Sequence, residues 1–360
     1  MLPIKPPYFP MEAKLVDEIP AGDEWQYEPK WDGFRCIAFR DGDAVELQSK
    51  AGETLTRYFP EMVEAVKGLK PSRFVLDGEI VIPIDGELSF DDLLQRIHPA
   101  ESRIRKLAAT TPANYIVFDI LVDERGRSLV EKPLNERREA LEAFAQKHLK
   151  NQAQIRLSPA TGDFDLAKRW FSTVGIGASL DGVIAKRVDL DYRTGQRDGM
   201  QKIKKMRTAD CVIGGYRYGS KATKVLGSLL LGLYHDDGLL HHVGFCSAFK
   251  GAQRAKLTEM MEKLRKPVDQ GGGFSGRSPG GKSRWSTERS GEWEAVDPKL
   301  VVEVQYDHFS GSRFRHGTKF LRWRPDKSPR QCRMEQVEKP GEGMMKLLLE
   351  GPRKSRSKVA

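Results

Sequence analysis

Cysteine is scarce in this chain and scattered: Cys36, Cys211, Cys246 and Cys332 form no C-x-x-C pair. That spacing excludes the usual zinc-binding patterns and a disulfide framework. Dispersed, reduced thiols suit the cytoplasm. Long apolar runs are missing too. No stretch approaches the ~18 residues that a membrane-crossing helix needs. Met1-Leu2-Pro3-Ile4-Lys5-Pro6-Pro7 has no apolar core of signal-peptide type. Internal repeats are absent. Acidic residues are outnumbered, 50 against 60 Lys and Arg, which leaves a net charge of +10. An excess of that sign favours a polyanionic partner through counterion release, without specifying a sequence.

What is present is an ordinary globular composition. With 360 residues, 39% hydrophobic and 31% charged, the chain has room for about two domains. Residues 1–27 read as a short lead-in with proline at its start. Phe34–Phe39 and Val45–Leu47 flank Asp41-Gly42-Asp43 as a hairpin. Phe74–Leu76 and Ile80–Ile82 flank Asp77-Gly78-Glu79, and Tyr115–Val122 reads as a buried strand. Leu134–Leu149 reads as a helix with Leu134, Leu141, Phe144, Ala145 and Leu149 on one face. From Asp210 the chain turns strand-rich, over Val212–Tyr216, Leu229–Tyr234, Leu239–Val243 and Leu300–Tyr306, with one helix at about Ala255–Leu264. That order predicts a small OB-type β-barrel with an inserted helix. The expected division is 1–207, then 208–335 with a flexible glycine-rich loop at 271–291, then a basic tail at 336–360.

Several short stretches can carry chemistry. Lys30 precedes Asp32-Gly33, and a lysine acts as a nucleophile only when its amine is neutral. Arg35, just beyond, can supply the neighbouring positive charge that favours the neutral form. Asp77-Gly78-Glu79 is either a tight turn with solvated acids or a pair of carboxylates for magnesium. Phe118 is a core aromatic or a platform for a nucleobase. Asp181-Gly182-Val183-Ile184-Ala185-Lys186-Arg187 sets a carboxylate and basic residues at the two ends of a short strand. In Lys202-Ile203-Lys204, alternation puts both ammonium groups on one face, as an edge-strand safeguard or a phosphate grip.

Taken in order and at these separations, Lys30-Trp31-Asp32-Gly33-Phe34-Arg35, Asp77-Gly78-Glu79, Phe118, Asp181–Lys186 and Lys202-Ile203-Lys204 resemble the motif set of the covalent nucleotidyltransferases. Phe320-Leu321-Arg322-Trp323-Arg324-Pro325-Asp326-Lys327 is similar to the last motif of the ATP-dependent DNA ligases, which narrows the resemblance to them. It spans roughly residues 8–335 and is nearest to the small bacterial C-type ligases and the ligase module of D-type ligases. The resemblance implies an α+β fold: an antiparallel-sheet-rich nucleotidyltransferase (adenylation) domain followed by an OB-fold β-barrel.

It also implies roles. Lys30 forms lysyl-AMP, Glu28 recognises the adenine amino group and Phe118 stacks on the ring. Arg35 and Glu79 contact the ribose, Glu79 and Asp181 hold Mg2+ (or Mn2+), and Lys202 and Lys204 grip the AMP phosphate. Ser49 and Lys50 meet the nick 5′-phosphate, while Arg324, Asp326 and Lys327 orient the pyrophosphate of ATP. Asp181 stands where glutamate is frequent, and Lys50 where arginine is frequent; lysine keeps the charge but loses the bidentate fork. The partner implied is nicked duplex DNA in repair, with a repair polymerase or end-joining protein as a further partner and a monomer as the expected state. The expected location is the bacterial cytoplasm, at the nucleoid. A hinge is expected near Met206–Asp210. With 29 residues ahead of Lys30, a minimal catalytic core is expected. The competing readings are an RNA ligase or capping-type guanylyltransferase, and a non-catalytic OB-containing nucleic-acid-binding protein.

Overall fold

The computed structural model of the protein describes residues 1–173, 180–219, 224–247, 249, 251–280 and 292–337. They fall into two compact units, the first Met1–Lys205 and the second starting at Met206. The principal strands of the first unit are β1 (Lys14–Val16), β2 (Trp25–Trp31), β3 (Phe34–Asp41), β4 (Ala44–Ser49), β5 (Arg73–Val81), β6 (Asn114–Val122), β7 (Ile155–Leu157), β8 (Leu180–Arg187) and β9 (Met200–Lys204). They build two sheets, of order β1-β9-β8-β2 and β4-β3-β5-β6-β7.

Period-two alternation gives the first sheet two distinct faces. Trp25 and Tyr27 of β2, Val183 and Ala185 of β8 and Ile203 of β9 are buried on one face against Ala167 and Trp170. Those two belong to an amphipathic helix, Phe164–Thr173. The opposite face meets the second sheet. There Met200 packs with Ile37, Phe39 and Val75. At the end of β2, Trp31 packs with Val81, Ile116, Leu180 and Phe171. The outer face of the second sheet is closed by the helix Leu134–His148, whose Leu141, Phe144 and Ala145 join Phe74, Leu76 and Ile120. At its start Arg137 forks onto Asp119 of β6 at 2.9 and 3.1 Å. Both are almost fully buried, so each charge depends on the other.

The expected hairpin is present: β3 pairs antiparallel with β4, and Gly42 takes φ 65° in the turn. One expectation is corrected. Asp77-Gly78-Glu79 does not separate two strands but lies inside β5, flanked by β3 and β6. Pairing on both sides overrides the turn tendency of Asp-Gly.

The second unit holds β10 (Arg207–Tyr218), β11 (Leu226–Tyr234), β12 (Leu240–Cys246), β13 (Val301–Tyr306) and β14 (Lys319–Trp323), in sheet order β12-β11-β10-β13-β14. A parallel bridge, Cys246↔Thr318, links the end of β12 to the approach of β14. A helix, Gly251–Lys263, lies between β12 and β13. This is the strand order of an OB-type barrel with its inserted helix. Cys211, Cys246 and Cys332 form no disulfide with one another and are buried in its core.

Two boundaries differ from the sequence reading. Gln336 and Val337, assigned to the tail, belong to this unit: the Gln336 amide accepts from Asp210 N and donates to its carbonyl, and Val337 is buried. The glycine-rich loop is packed at its start. Phe274 is buried, and a Cβ at Gly214 would sit 2.5 Å from its ring. The rest of that loop (281–291) and of the tail (338–360) lie outside the described residues.

Candidate active site

A pocket of about 200 Å³ opens between the two sheets of the first unit. Its walls include Glu28 and Lys30 from β2, Arg35 from β3, Glu79 from β5, Phe118 from β6, Lys186 from β8 and Lys202 from β9. Lys50, just beyond β4, and Pro10–Ala13 of the lead-in complete the mouth. Residues far apart in the sequence meet because alternation turns Gln26, Glu28 and Lys30 to one side of β2, with Ile184 and Lys186 beside them on β8.

Gly33 explains the sequence around Lys30. A Cβ at this position would fall 2.2 Å from the Ile80 carbonyl and 2.9 Å from Glu79 Cγ. Only glycine lets the turn after the lysine lie against β5. Asp181 is placed by a different device. Strict alternation would send it to the face of Val183, away from Lys30. The pairing of β8 with β2 shifts between Leu180 and Gly182, and Gly182 takes φ 156°. This bulge turns the carboxylate to the reactive face. Lys30 Nζ donates to Asp181 Oδ2 at 2.6 Å, and Lys204 lies 3.1 Å from the same oxygen. Burial opposes the Asp181 charge, but Lys30 and Lys204 together outweigh it and hold its pKa down at about 2.

Deeper in the pocket, Lys186 Nζ donates to Glu28 at 2.9 Å and sits 4.5 Å from the centre of the Phe118 ring. Gln26 Nε2 donates to the other Glu28 oxygen at 2.8 Å. Phe118 is also approached by Arg35, 4.6 Å from its centre. One guanidinium edge of Arg35 forks onto Asp77 with two 2.6 Å bonds, and Tyr192 Oη donates to Asp77 at 2.6 Å. Tyr192 Oη in turn accepts from Met11 N at 3.1 Å, which ties the lead-in to the pocket wall. Burial pushes Glu79 up to about 7, against the pull of Arg35 and Lys30. Lys202 is lowered by burial first and then by Lys204, Lys30, Lys50 and Arg197. The pocket thus gathers cations whose mutual repulsion an anionic ligand relieves.

Glu79 and Asp181 are hard oxygen donors suited to magnesium. Among the described residues no cluster of three or more His, Cys, Asp or Glu side chains forms a cage for a metal. Magnesium tolerates this well, because it commonly takes one or two carboxylates and completes its shell with phosphate oxygens and water.

Of the remaining expected residues, only Lys50 lines this pocket. Ser49 ends β4 and its Oγ accepts from Glu53 N at 3.1 Å; it does not line the pocket. Lys50 Nζ pairs with Glu12 at 2.9 Å. Arg324, Asp326 and Lys327 belong to the second unit. Arg324 reaches Asp210 at 3.0 Å and Asp326 at 2.8 Å, and Lys327 reaches Asp210 at 2.6 Å. Sequence reasoning missed Asp210, the Asp77–Tyr192 support of Arg35, the lead-in wall and the Lys186–Glu28 pair. For the last, a signal existed: Lys186 directly follows the apolar run Val183-Ile184-Ala185, which reads as a short strand.

Comparison with known proteins identifies the chain. The ATP dependent DNA ligase domain matches residues 10–204, and the ATP dependent DNA ligase C terminal region matches residues 222–327. DNA ligase C of Mycobacterium tuberculosis is 46% identical over 352 residues, covering 94% of this chain and 96% of that protein. DNA ligase C2 of Mycolicibacterium smegmatis is 45% identical over 354 residues, with the same coverages. A solved Lig E DNA ligase covers 88% of this chain and 99% of its own, with a TM-score of 0.56 at 14% identity, and shares the fold. The chain belongs to the ATP-dependent DNA ligases. Among the described residues no helix is long and apolar enough to cross a membrane.

Proposed function

We propose that Lys30 is the covalent nucleophile with which this ligase seals nicks in duplex DNA during repair. The observation that carries the assignment is the convergence of Lys30, Glu28, Arg35, Glu79, Phe118 and Lys202 on one pocket from two sheets. The neutral Lys30 amine attacks the α-phosphorus of ATP. A nitrogen–phosphorus bond forms, and the bridging oxygen leaves with its electron pair as pyrophosphate. An oxygen of the nick 5′-phosphate then attacks the AMP phosphorus and displaces Lys30. Finally the 3′-hydroxyl attacks the activated 5′-phosphate and expels AMP.

The residues divide this work by chemistry. Phe118 offers a π-face to adenine, and Glu28, fixed by Lys186 and Gln26, offers an acceptor to the amino group. Arg35, held by Asp77, and Glu79 suit the ribose hydroxyls. Lys202 and Lys204 stabilise charge on the phosphate oxygens as it moves between acceptors. A Mg2+ ion at Glu79 and Asp181 would neutralise phosphate charge and compete with Lys30 for the Asp181 carboxylate. The 2.6 Å contact with Asp181 occupies the Lys30 amine, so weakening it makes the nucleophile available. Ser49 and Lys50 are assigned to the nick 5′-phosphate, and Arg324, Asp326 and Lys327 to the pyrophosphate group. The substrate is expected to engage a monomer, with a repair polymerase or end-joining protein alongside.

The test is covalent labelling. ATP labelled at the α-phosphate should leave acid-labile, alkali-stable, hydroxylamine-sensitive label on the protein, and GTP or NAD should not. Lys30→Ala should abolish the label. Label surviving in that variant overturns the assignment.

A further inference from the structure

The second unit carries a group of positive charges that the steps above do not use. Phe309–Ser310 and Arg313–Phe314 pair as a small hairpin, with Gly311 and Ser312 at positive φ in its tip. Phe314 is buried; its ring lies 4.8 Å from that of Tyr306 and is packed over Gly244 of β12. Alternation then turns Arg313 outward, where it is exposed. Its side chain makes no hydrogen bond or ion pair among the described residues.

Arg277 lies beside this hairpin. Its backbone N donates to His241 Nδ1 at 3.2 Å, and its carbonyl accepts from His242 N at 2.8 Å. Its guanidinium is held by carbonyls alone: Nε and Nη2 donate to His242 O at 3.3 and 3.1 Å, and Nη2 also to Ser312 O in the hairpin tip. Burial lowers the pKa of Arg277, and Arg313 lowers it further. His242 shares this environment. Its Nε2 is buried without a hydrogen-bond partner, and burial, followed by Arg217, Arg277 and Arg313, pushes its pKa down to about 4. Asp237 is taken up by His241 Nε2 at 3.0 Å, and Asp307, before the hairpin, by His316 Nδ1 at 3.1 Å.

Like charges held together at a partly desolvated place raise the energy of the free protein, and an anion lowers it. The bonding capacity is available. Arg277 spends Nε and Nη2 on carbonyls and keeps its Nη1 hydrogens, while Arg313 keeps all its donors. Guanidinium groups match the oxygens of a phosphate better than a point charge does. We infer that Arg313 and Arg277 form a binding site for a backbone phosphate of the duplex DNA substrate, with the Phe309–Phe314 hairpin as its mount. This rests on nicked duplex DNA being the substrate and assigns one place on the second unit where its backbone is held.

The experiment measures binding of the full chain to a fluorescent nicked duplex over a series of salt concentrations. Arg313→Gln should weaken binding several-fold at low salt and flatten the slope of log Kd against log salt by about one. Arg277→Gln combined with Arg313→Gln should flatten it by about two. Lys263→Gln removes the same charge from an exposed lysine paired with Glu259 at 2.6 Å and should leave the slope as it is. An unchanged slope in Arg313→Gln, or equal flattening in Lys263→Gln, overturns the site. Sealing of the same duplex by the unaltered protein is measured alongside. If it seals while Arg313→Gln binds normally, only the phosphate site fails; if it does not seal, the substrate reading fails.

Discussion

Replacing Lys186 by methionine keeps the length of the side chain and removes its ammonium group. Lys186 and Glu28 are 8% and 3% exposed, and their 2.9 Å contact is the only ion pair Glu28 makes among the described residues. After the substitution the Glu28 carboxylate keeps one donor, Gln26 Nε2 at 2.8 Å. Removing one partner of a buried pair leaves an uncompensated charge and costs about 3–5 kcal/mol. An exposed pair costs at most about 1 kcal/mol. Denaturant unfolding of the nucleotide-free protein, followed by tryptophan fluorescence, separates these cases, since Trp25 and Trp31 end the strand that carries Glu28. Adding Glu28→Gln to Lys186→Met removes the orphaned charge and should restore most of the loss. Label uptake from ATP should fall in Lys186→Met, because the acceptor for adenine is no longer fixed. A loss below about 1 kcal/mol, or no rescue by Glu28→Gln, refutes the buried pair as the element that fixes Glu28.

Two further outcomes follow from other charges. Glu79 is raised from its ordinary value of 4.5 to about 7, so between those values the folded state holds more protons than the unfolded one, and stability falls as pH rises. Glu79→Gln, without nucleotide, should therefore melt higher than the parent at pH 8, with the gap closing at pH 5; a gap of equal size at both pH values contradicts this. Asp210→Asn removes the charge shared by Arg324 and Lys327 and should destabilise the second unit by about 1–3 kcal/mol. The same variant should speed label uptake from ATP, because both cations are released for phosphate. Slower uptake would show that Asp210 is needed to hold them in place.

The parts of the site legible in the sequence are those carried by strict alternation or by local spacing. Lys202 and Lys204 do share a face, with Ile203 buried on the other. The Gly42 hairpin and the Leu134–His148 helix follow from turn chemistry and from a 3.6-residue period. What was illegible depends on pairing between distant segments. Asp77-Gly78-Glu79 carries a turn signal, yet strands on both sides hold it extended. Asp181 sits on the wrong parity for Lys30 until the bulge at Gly182 shifts it. Phe274 lies in a stretch whose composition reads as linker, but it fills space left by Gly214 and Gly232, which are brought together only by the barrel.

The reactive face is held in register by the opposite face of the same sheet. A one-residue slip of β2 against β8 would turn Gln26, Glu28 and Lys30 away from the pocket and bring Trp25 and Tyr27 into it. That slip would also strip Trp25 and Tyr27 from Trp170 and Ala167, where Tyr27 is fully buried and Trp25 nearly so. Burying an aromatic side chain is worth about 1.5–3 kcal/mol, so the two together resist the slip alongside the polar contacts in the pocket. The same face can then carry repelling cations such as Lys30, Lys202 and Lys204 without losing its alignment. This separates the two tasks within single strands: odd-numbered residues of β2 fix the register, and even-numbered ones do the chemistry. The bulge at Gly182 is the local departure that brings Asp181 into that second set, and it leaves the pairing from Gly182 to Arg187 intact.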